Sequence, residues 1–319
     1  MPAPPKVSVI IPTYNRAHFI REAIQSVLAQ AYADYEIIVV DDGSTDNTKD
    51  VLHEYGDKLK YFYQSNRGPA AARNLGISKS EGEYIAFLDS DDVWMPNRLE
   101  VQVPVLDDNP DLAFICSDAR VVDSCGREIN IWRKSKNNNE TFESLREENF
   151  ISTLTVLMRR TCFDAVSGFD ENLPCVVDYD LWLRLAKNFK FLYLNELLAN
   201  HRVHQGNISR DTALRARAYK RILSKKEIWD TMNPLHRNIR VAKIYCHFAE
   251  AFYEMPYHKG AFIYYLKAAL RYPLIGIYVE PRRLRYARLK RLSCIFDIYV
   301  LILETALKTC KRKLLQKGG

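Results

Sequence analysis

The sequence has little of what would make it a disulfide-bonded, zinc-stapled or membrane-spanning protein. Its seven cysteines, at 116, 125, 162, 175, 246, 294 and 310, form no CxxC pair, lie at no Cys/His spacing that suits zinc, and are odd in number. They read as reduced thiols, mostly buried. The opening MPAPPKVSVIIPTYN has one lysine and a five-residue apolar stretch closed by Pro12. That is too short for a secretory h-region and has no small-residue cleavage site, so a cytoplasmic location is expected. No uninterrupted apolar run reaches the roughly 20 residues of a spanning helix. Nor does the body of the chain carry a surplus of one charge. Of 46 Lys+Arg and 39 Asp+Glu, 11 bases but only three acids lie from Glu280 onward, leaving 35 bases against 36 acids before it. Overall basicity therefore gives no argument for nucleic acid as a partner. With 319 residues, 47% hydrophobic and 27% charged, about two folded domains are expected.

What is present is an alternation of strands and helices. Val7 to Ile11 is a β-branched run. Phe19, Ile20, Ala23, Ile24, Val27 and Leu28 then recur at helical spacing, and Tyr35 to Val40 is a second buried strand ending in Asp41-Asp42-Gly43-Ser44. Asp46 stands where it can cap the next helix. Lys60 to Gln64, Pro69 to Ser78 and Glu83 to Leu88 read as strand, helix and strand, and a further helix begins near Pro96. This βαβα order predicts a parallel sheet with helices on its faces. Ligands of such sheets sit at the carboxyl ends of the strands. Four unusual loops fall there: PTYNR, DDGSTD, NRGPAAARN and DSDD.

The last of these, Asp89-Ser90-Asp91-Asp92, poses a physical problem. Two like charges about 4 Å apart cost roughly 4 kcal/mol at an effective dielectric near 20. Solvation, partial protonation or a cation has to relieve the cluster, and Asp92 or Asp89 could instead cap the helix near Pro96.

Taken in order, VSVIIPTYNR, EIIVVDDGSTDNT, NRGPAAARNLGI, GEYIAFLDSDDVWMPNRL and GFDENLPCVVDYDLWLRL resemble the family 2 glycosyltransferases over about the first 205 residues. The resemblance implies an α/β GT-A fold: a Rossmann-like, mostly parallel sheet flanked by helices, here residues 1–210. It also implies inverting transfer of a sugar from a nucleotide diphosphate donor with Mn²⁺ or Mg²⁺ as cofactor. On these residues, Asp91 would hold the metal, and Asp89 ribose hydroxyls or a metal-bound water, with Ser90 between them. Tyr14 would stack on uracil, Asp42 would accept its imide N–H, Pro12 and Arg16 would flank the base, and Arg73 would face the nucleotide. Asp41 reads as structural, and Arg16 could equally be a solvated helix-start residue. Asp178 matches the aspartate of the family's ED pair and is the candidate base, since an attacking hydroxyl has to lose its proton as the bond forms. The alternative for Asp178 is a helix N-cap. Val177 departs from the family, many members of which have Glu there. His204, in HRVHQGNIS, matches a stretch that would cover the diphosphate or complete the metal shell; otherwise it is a loop histidine. His201 and His204 lack the third ligand that zinc requires.

After Asn207 the texture is helical throughout, giving a predicted C-terminal region of residues 211–319. Tyr245 to Pro273 weakly resembles one tetratricopeptide-like helix pair, and a single copy is no array. Beyond it, PRRLR and CIFDIYVLILETAL could lie on an anionic membrane surface at the inner face of the cell membrane or pack on the catalytic domain. Residues 129–148 read as an acceptor-side loop, and the expected acceptor is a glycan or lipid-linked hydroxyl. Two rivals remain open at this point. LDSDDV fits the DxDx[TV] nucleophile motif of haloacid-dehalogenase-type phosphatases, with Asp89 attacking and Asp91 as acid/base. The chain could also be a non-catalytic nucleotide-sugar-binding scaffold.

Overall fold

The computed structural model describes residues 3–133, 140–254 and 258–271. The chain divides into two compact units, Met1–Ile228 and Trp229–Gly319. In the first, β1 (Val7–Thr13), α1 (Ile20–Leu28), β2 (Tyr35–Asp41), α2 (Thr48–His53), β3 (Lys60–Tyr63), α3 (Pro69–Ser78) and β4 (Tyr84–Phe87) follow the predicted alternation. There follow β5 (Val93–Trp94), α4 (Arg98–Asp108), β6 (Leu112–Val122), β7 (Glu128–Trp132), α5 (Phe142–Glu147), β8 (Leu157–Arg159), α6 (Arg160–Ala165), α7 (Val177–Asn188), β9 (Lys190–Arg202), α8 (Thr212–Ser224) and α9 (Lys226–Trp229).

One nine-stranded sheet runs β3-β2-β1-β4-β8-β6-β9-β5, with β7 beside β6. It is parallel from β3 through β4 and again between β6 and β9, while β8 is antiparallel to both neighbours. Helices cover both faces of its first half, which is why these strands are continuous apolar runs rather than alternating ones. Val7, Val9 and Ile11 of β1 pack with Ala23, Ile24 and Val27 of α1. The other face meets α3 at Gly76, where a Cβ would come within 2.6 Å of Ile10 Cγ2 and 3.2 Å of Val40 Cγ2. The glycine thus lets the helix approach the sheet. Each fully buried Val or Ile contributes about 1.5–3 kcal/mol. Leu28 lies outside this stripe and is exposed.

Pro12 does not end β1; it pairs in register with Val40 inside the sheet. Its ring nitrogen faces the β4 side, where pairing stops at Phe87 and the Leu88 N–H already donates to the Ile10 carbonyl. The missing N–H thus falls just where the ladder to β4 ends.

The first unit extends past the predicted boundary at 210. Lys225, following α8, pairs with Asp170 at 2.7 Å and Asp180 at 2.6 Å, and Arg221 donates to the Asn172 carbonyl. In the second unit, α10 (Pro234–Glu254) and α11 (His258–Arg271) pack through Ala242, Cys246 and Ala268. The basic tail lies outside the described residues. Among the described cysteines none forms a disulfide; Cys116, Cys162, Cys175 and Cys246 are buried and Cys125 is exposed.

Candidate active site

The four polar loops meet at the carboxyl edge of β1 to β4. Asn15 sits in the left-handed region at φ 52°, a conformation asparagine tolerates. Its N–H donates to Ser44 Oγ at 2.9 Å and its Oδ1 accepts from Thr45 N at 2.7 Å, tying the first loop to the second. Tyr14, on this turn, is left 44% exposed. Asp46 accepts from the Ala17 and Thr48 amides and so ties the same loop to the start of α2, but it is not the expected cap: Asn47 holds that position and makes no side-chain cap bond.

The two acids of DDGS have different duties. Asp41 is wholly buried, accepting from Ser44 N and the Tyr61 hydroxyl. Asp42 is 4% exposed and accepts three hydrogen bonds, from Gln64 Nε2 (2.6 Å), Arg67 N (2.8 Å) and Gly68 N (2.8 Å). A carboxylate offers about four lone-pair sites. Asp42 therefore pins the β3–α3 turn with three of these sites.

Each acid of DSDD has its own positive partner, which resolves the crowding. Asp89 pairs with Arg73, itself buried on α3. Asp91 Oδ2 is 2.9 Å from His204 Nε2, 3.4 Å from Arg16 Nε and 3.5 Å from Asn207 Nδ2. Asp92, buried, accepts from the Arg202 backbone N–H at 2.7 Å and faces His201 Nδ1 at 3.3 Å. It does not cap α4, whose start has no side-chain cap. Burial raises the Asp92 carboxyl to about 6 against the pull of His201, and Asp92 and its neighbours hold the imidazole up to about 9 despite its own burial. Ser90, between Asp89 and Asp91 in the chain, is buried. Arg16 turns inward, its Nη2 donating to the Gly206 carbonyl at 2.9 Å. His201 and His204 lie on β9 and the turn after it, not on a helix, and so address different acids.

The Asp91 carboxylate is an oxygen donor of the kind a hard divalent ion takes. Among the described residues no three His, Cys, Asp or Glu side chains form a metal cage. An ion there would draw its other ligands from phosphate and water, the habit of Mg²⁺ rather than of zinc. The Gly206 N–H donates to His204 Nδ1 at 3.0 Å, which assigns the imidazole proton to Nε2, pointing at Asp91. In this arrangement His204 is a hydrogen-bond donor to Asp91. Coordination through Nε2 requires the proton to move to Nδ1 and the Gly206 amide to turn away.

Asp178 stands in the first turn of α7, whose start likewise has no side-chain cap. Its Oδ2 accepts from Thr153 Oγ1 at 3.0 Å. Burial raises its pKa, while the nearby Arg73 charge, the Tyr179 N–H and the Thr153 hydroxyl favour the ionised form and Asp89 opposes it. Val176 holds the turn before it at φ 57°, a strained conformation for a β-branched residue, costing of order 1–3 kcal/mol. Val177, in place of the expected glutamate, is buried in the core and so offers nothing to an acceptor. Asp180 is fully buried and bridged to Arg184 and Lys225. Residues missed in the sequence are Thr153, Asn15, Asn207 and Phe19, whose ring lies 4.8 Å from that of His204. Each is an ordinary residue singled out only by its distant partner. Of the expected acceptor loop, residues 129–132 belong to β7 and 142–147 form α5, while 134–139 lie outside the described residues.

A curled sheet of this order with a carboxylate-rich carboxyl edge is the GT-A glycosyltransferase fold, and known proteins bear this out. The TarS 1–349 structure from S. aureus in complex with UDP-GlcNAc superposes with a TM-score of 0.63 at 22% identity, covering 82% of this chain and 81% of that one. The mannosyltransferase PcManGT from Pyrobaculum calidifontis, in complex with GDP-Man and Mn²⁺, gives 0.57 at 19% identity over 94% and 86%. Residues 8–166 match the family described as glycosyl transferase family 2. An uncharacterized glycosyltransferase, RT0329 of Rickettsia typhi, is 38% identical over 66% of this chain and 67% of its own length. The Escherichia coli UDP-Glc:alpha-D-GlcNAc-diphosphoundecaprenol beta-1,3-glucosyltransferase WfgD is 32% identical over 75% and 89%. The chain belongs to glycosyl transferase family 2. That membership, and the place of DSDD after the fourth strand rather than the first, overturn the phosphatase reading.

Proposed function

We propose that the first unit is an inverting hexosyltransferase that moves a sugar from a UDP-sugar to a hydroxyl of a glycan or lipid-linked acceptor in surface polysaccharide synthesis. One observation carries this reading: Asp91, Asp89 with Arg73, and Asp178 within reach of the Arg73 charge gather at the sheet edge that also presents Tyr14 and Asp42. Tyr14 stacks on the base, and Asp42 accepts the uracil imide N–H, with Pro12, Arg16 and Ser90 shaping the surroundings. Asp89 takes ribose hydroxyls, and Arg73 holds it toward the nucleotide. Asp91 would hold Mg²⁺ or Mn²⁺, and His204 would join it only if the 204–207 turn released its Nε2. When bound, the ion supplies positive charge beside the diphosphate leaving group. Asp178 removes the proton of the attacking hydroxyl. The name of the relative WfgD, which includes UDP-Glc and a diphosphoundecaprenol-linked GlcNAc, supports the donor and acceptor classes.

A thermal-shift series with Mn²⁺ and UDP, GDP, UDP-glucose, UDP-GlcNAc and GDP-mannose tests the donor. Stabilisation grows as RT ln(1 + [L]/Kd), about 2.7 kcal/mol at 100 times Kd, so UDP and one UDP-hexose should raise Tm by several degrees while GDP does not. A shift confined to GDP compounds, or none at all, sinks the UDP assignment. Stabilisation without any UDP release from the hexose donor would favour the scaffold reading.

The same proposal places the enzyme peripherally on the inner face of the cell membrane. Among the described residues no helix is long and apolar enough to cross a membrane. The basic residues after Glu280 would each contribute about 1 kcal/mol at an anionic surface. Full-length protein should sediment with phosphatidylserine-containing vesicles in low salt, be released at high salt, and ignore zwitterionic ones. Failure to bind anionic vesicles in low salt removes this part of the proposal.

A further inference from the structure

We infer that Thr153 is a positioning residue for Asp178, and that Trp94, Arg98 and Gln102 form a buried brace that fixes Thr153 by seizing three successive backbone carbonyls. The inference rests on Asp178 being the base. Thr153, 7% exposed, opens a single 3₁₀ turn (Thr153–Thr155) between α5 and β8 and donates to Asp178 Oδ2 at 3.0 Å. The segment has no strand partner of its own here, yet it is buried, and buried carbonyls need donors. Side chains supply them. Trp94 Nε1 donates to Leu154 O (3.1 Å), Gln102 Nε2 to Thr155 O (2.8 Å) and Arg98 Nη2 to Val156 O (2.8 Å).

The brace is itself tied together. Arg98 Nε donates to Gln102 Oε1 at 3.1 Å, one helical turn away, and its guanidinium lies 3.6 Å over the Trp94 ring. All three side chains are buried, and among the described residues Arg98 has no carboxylate partner. A guanidinium buried without an acid is costly. A leucine would fill the space more cheaply, but it could not hold a carbonyl. Trp94 lies two residues beyond Asp92, so the arm that carries the DSDD acids continues directly into the brace. Donor side and base are thereby linked through the protein interior.

A hydroxyl donating to a carboxylate fixes its orientation and favours its ionised form. The other charged or titratable groups acting on Asp178 are Arg73, which favours ionisation, and Asp89, which opposes it; the Cys175 thiol also lies in its field. Thr153→Val keeps the shape and removes the donor, whereas Thr153→Ser keeps the donor. With UDP-glucose and Mn²⁺, UDP release is followed against pH, and circular dichroism checks the fold. Thr153→Val should lower kcat roughly tenfold, leave KM for the donor unchanged and move the acid limb of the profile to higher pH, with Thr153→Ser near wild type in both. In an Asp178→Asn background Thr153→Val should cause no further loss.

Equal impairment of the Val and Ser variants, an unmoved acid limb, or an equal loss in the Asp178→Asn background overturns the inference. Trp94→Phe keeps a ring beneath Arg98 but removes the donor to Leu154; a wild-type acid limb there overturns the brace. The underlying reading fails separately. Full turnover by Asp178→Asn alone removes the base, whereas an inactive Asp178→Asn with a normal Thr153→Val removes only the role of Thr153.

Discussion

Asp178→Asn should leave nucleotide binding intact and lower turnover by roughly 10² to 10⁴. The side chain keeps its size, and its amide oxygen can still accept from Thr153 Oγ1, so the local geometry survives. What it loses is the ability to take a proton. The same variant should be more stable than wild type at neutral pH. Burial raises the Asp178 pKa in the folded protein, so folded Asp178 binds its proton more tightly than the unfolded chain, whose value is about 3.9. Ionisation then costs folding free energy above the folded pKa, and the cost vanishes below the unfolded one. Asparagine carries no such cost, so its advantage in Tm should be present at neutral pH and fade as pH falls through the window between the two values. Wild-type activity also needs the ionised form, which places its acid limb above the ordinary aspartate range. Near wild-type turnover by the Asn variant, or a product that retains the donor's anomeric configuration, would count against a single displacement with Asp178 as base. Asp180 would be a poor substitute, since Arg184 and Lys225 occupy both its oxygens.

Much of this site was legible because its first half is built from local signals. The runs in β1, β2 and β4 and the stripe of α1 are periodicities within ten residues, and the acids follow directly from the strand ends. The division of labour among those acids was not legible. Asp89, Asp91 and Asp92 are adjacent, but their partners Arg73, His204 and Arg202 lie 16, 113 and 110 residues away. Nothing local to the chain says which carboxylate meets which. Within the sheet beyond β4, β5 and β8 were hidden because they have two and three residues, too few to show a period. Arg98 and Gln102 sit at helical spacing, where the ordinary expectation is a solvated polar face. Their burial depends on carbonyls from a segment more than 50 residues on. Val176 would not be chosen for a left-handed turn by any local preference, because β-branched side chains resist it. Such departures from local preference gather where position matters more than stability.

Asp91 allows the last test, because one oxygen serves two purposes that substitution can separate. Its Oδ2 is where His204, Arg16 and Asn207 converge, so it tethers the turn after β9 as well as offering a carboxylate to an ion. Asp91→Ala removes both functions. Asp91→Asn keeps an oxygen that can accept from His204 Nε2–H but removes the charge that a hard divalent ion prefers. If Asp91 is the metal ligand, calorimetric UDP affinity in wild type should be far higher with Mn²⁺ than with EDTA. The Asn and Ala variants should both fall to the EDTA level, with turnover lost alike. If it is only a tether, Asn should behave as wild type and Ala should be defective whether Mn²⁺ is present or not. A wild-type enzyme that binds UDP equally with Mn²⁺ and with EDTA would end the metal assignment itself. In that case the three neighbours of Asp91 would be explained as the means by which a crowded acid is neutralised within the protein.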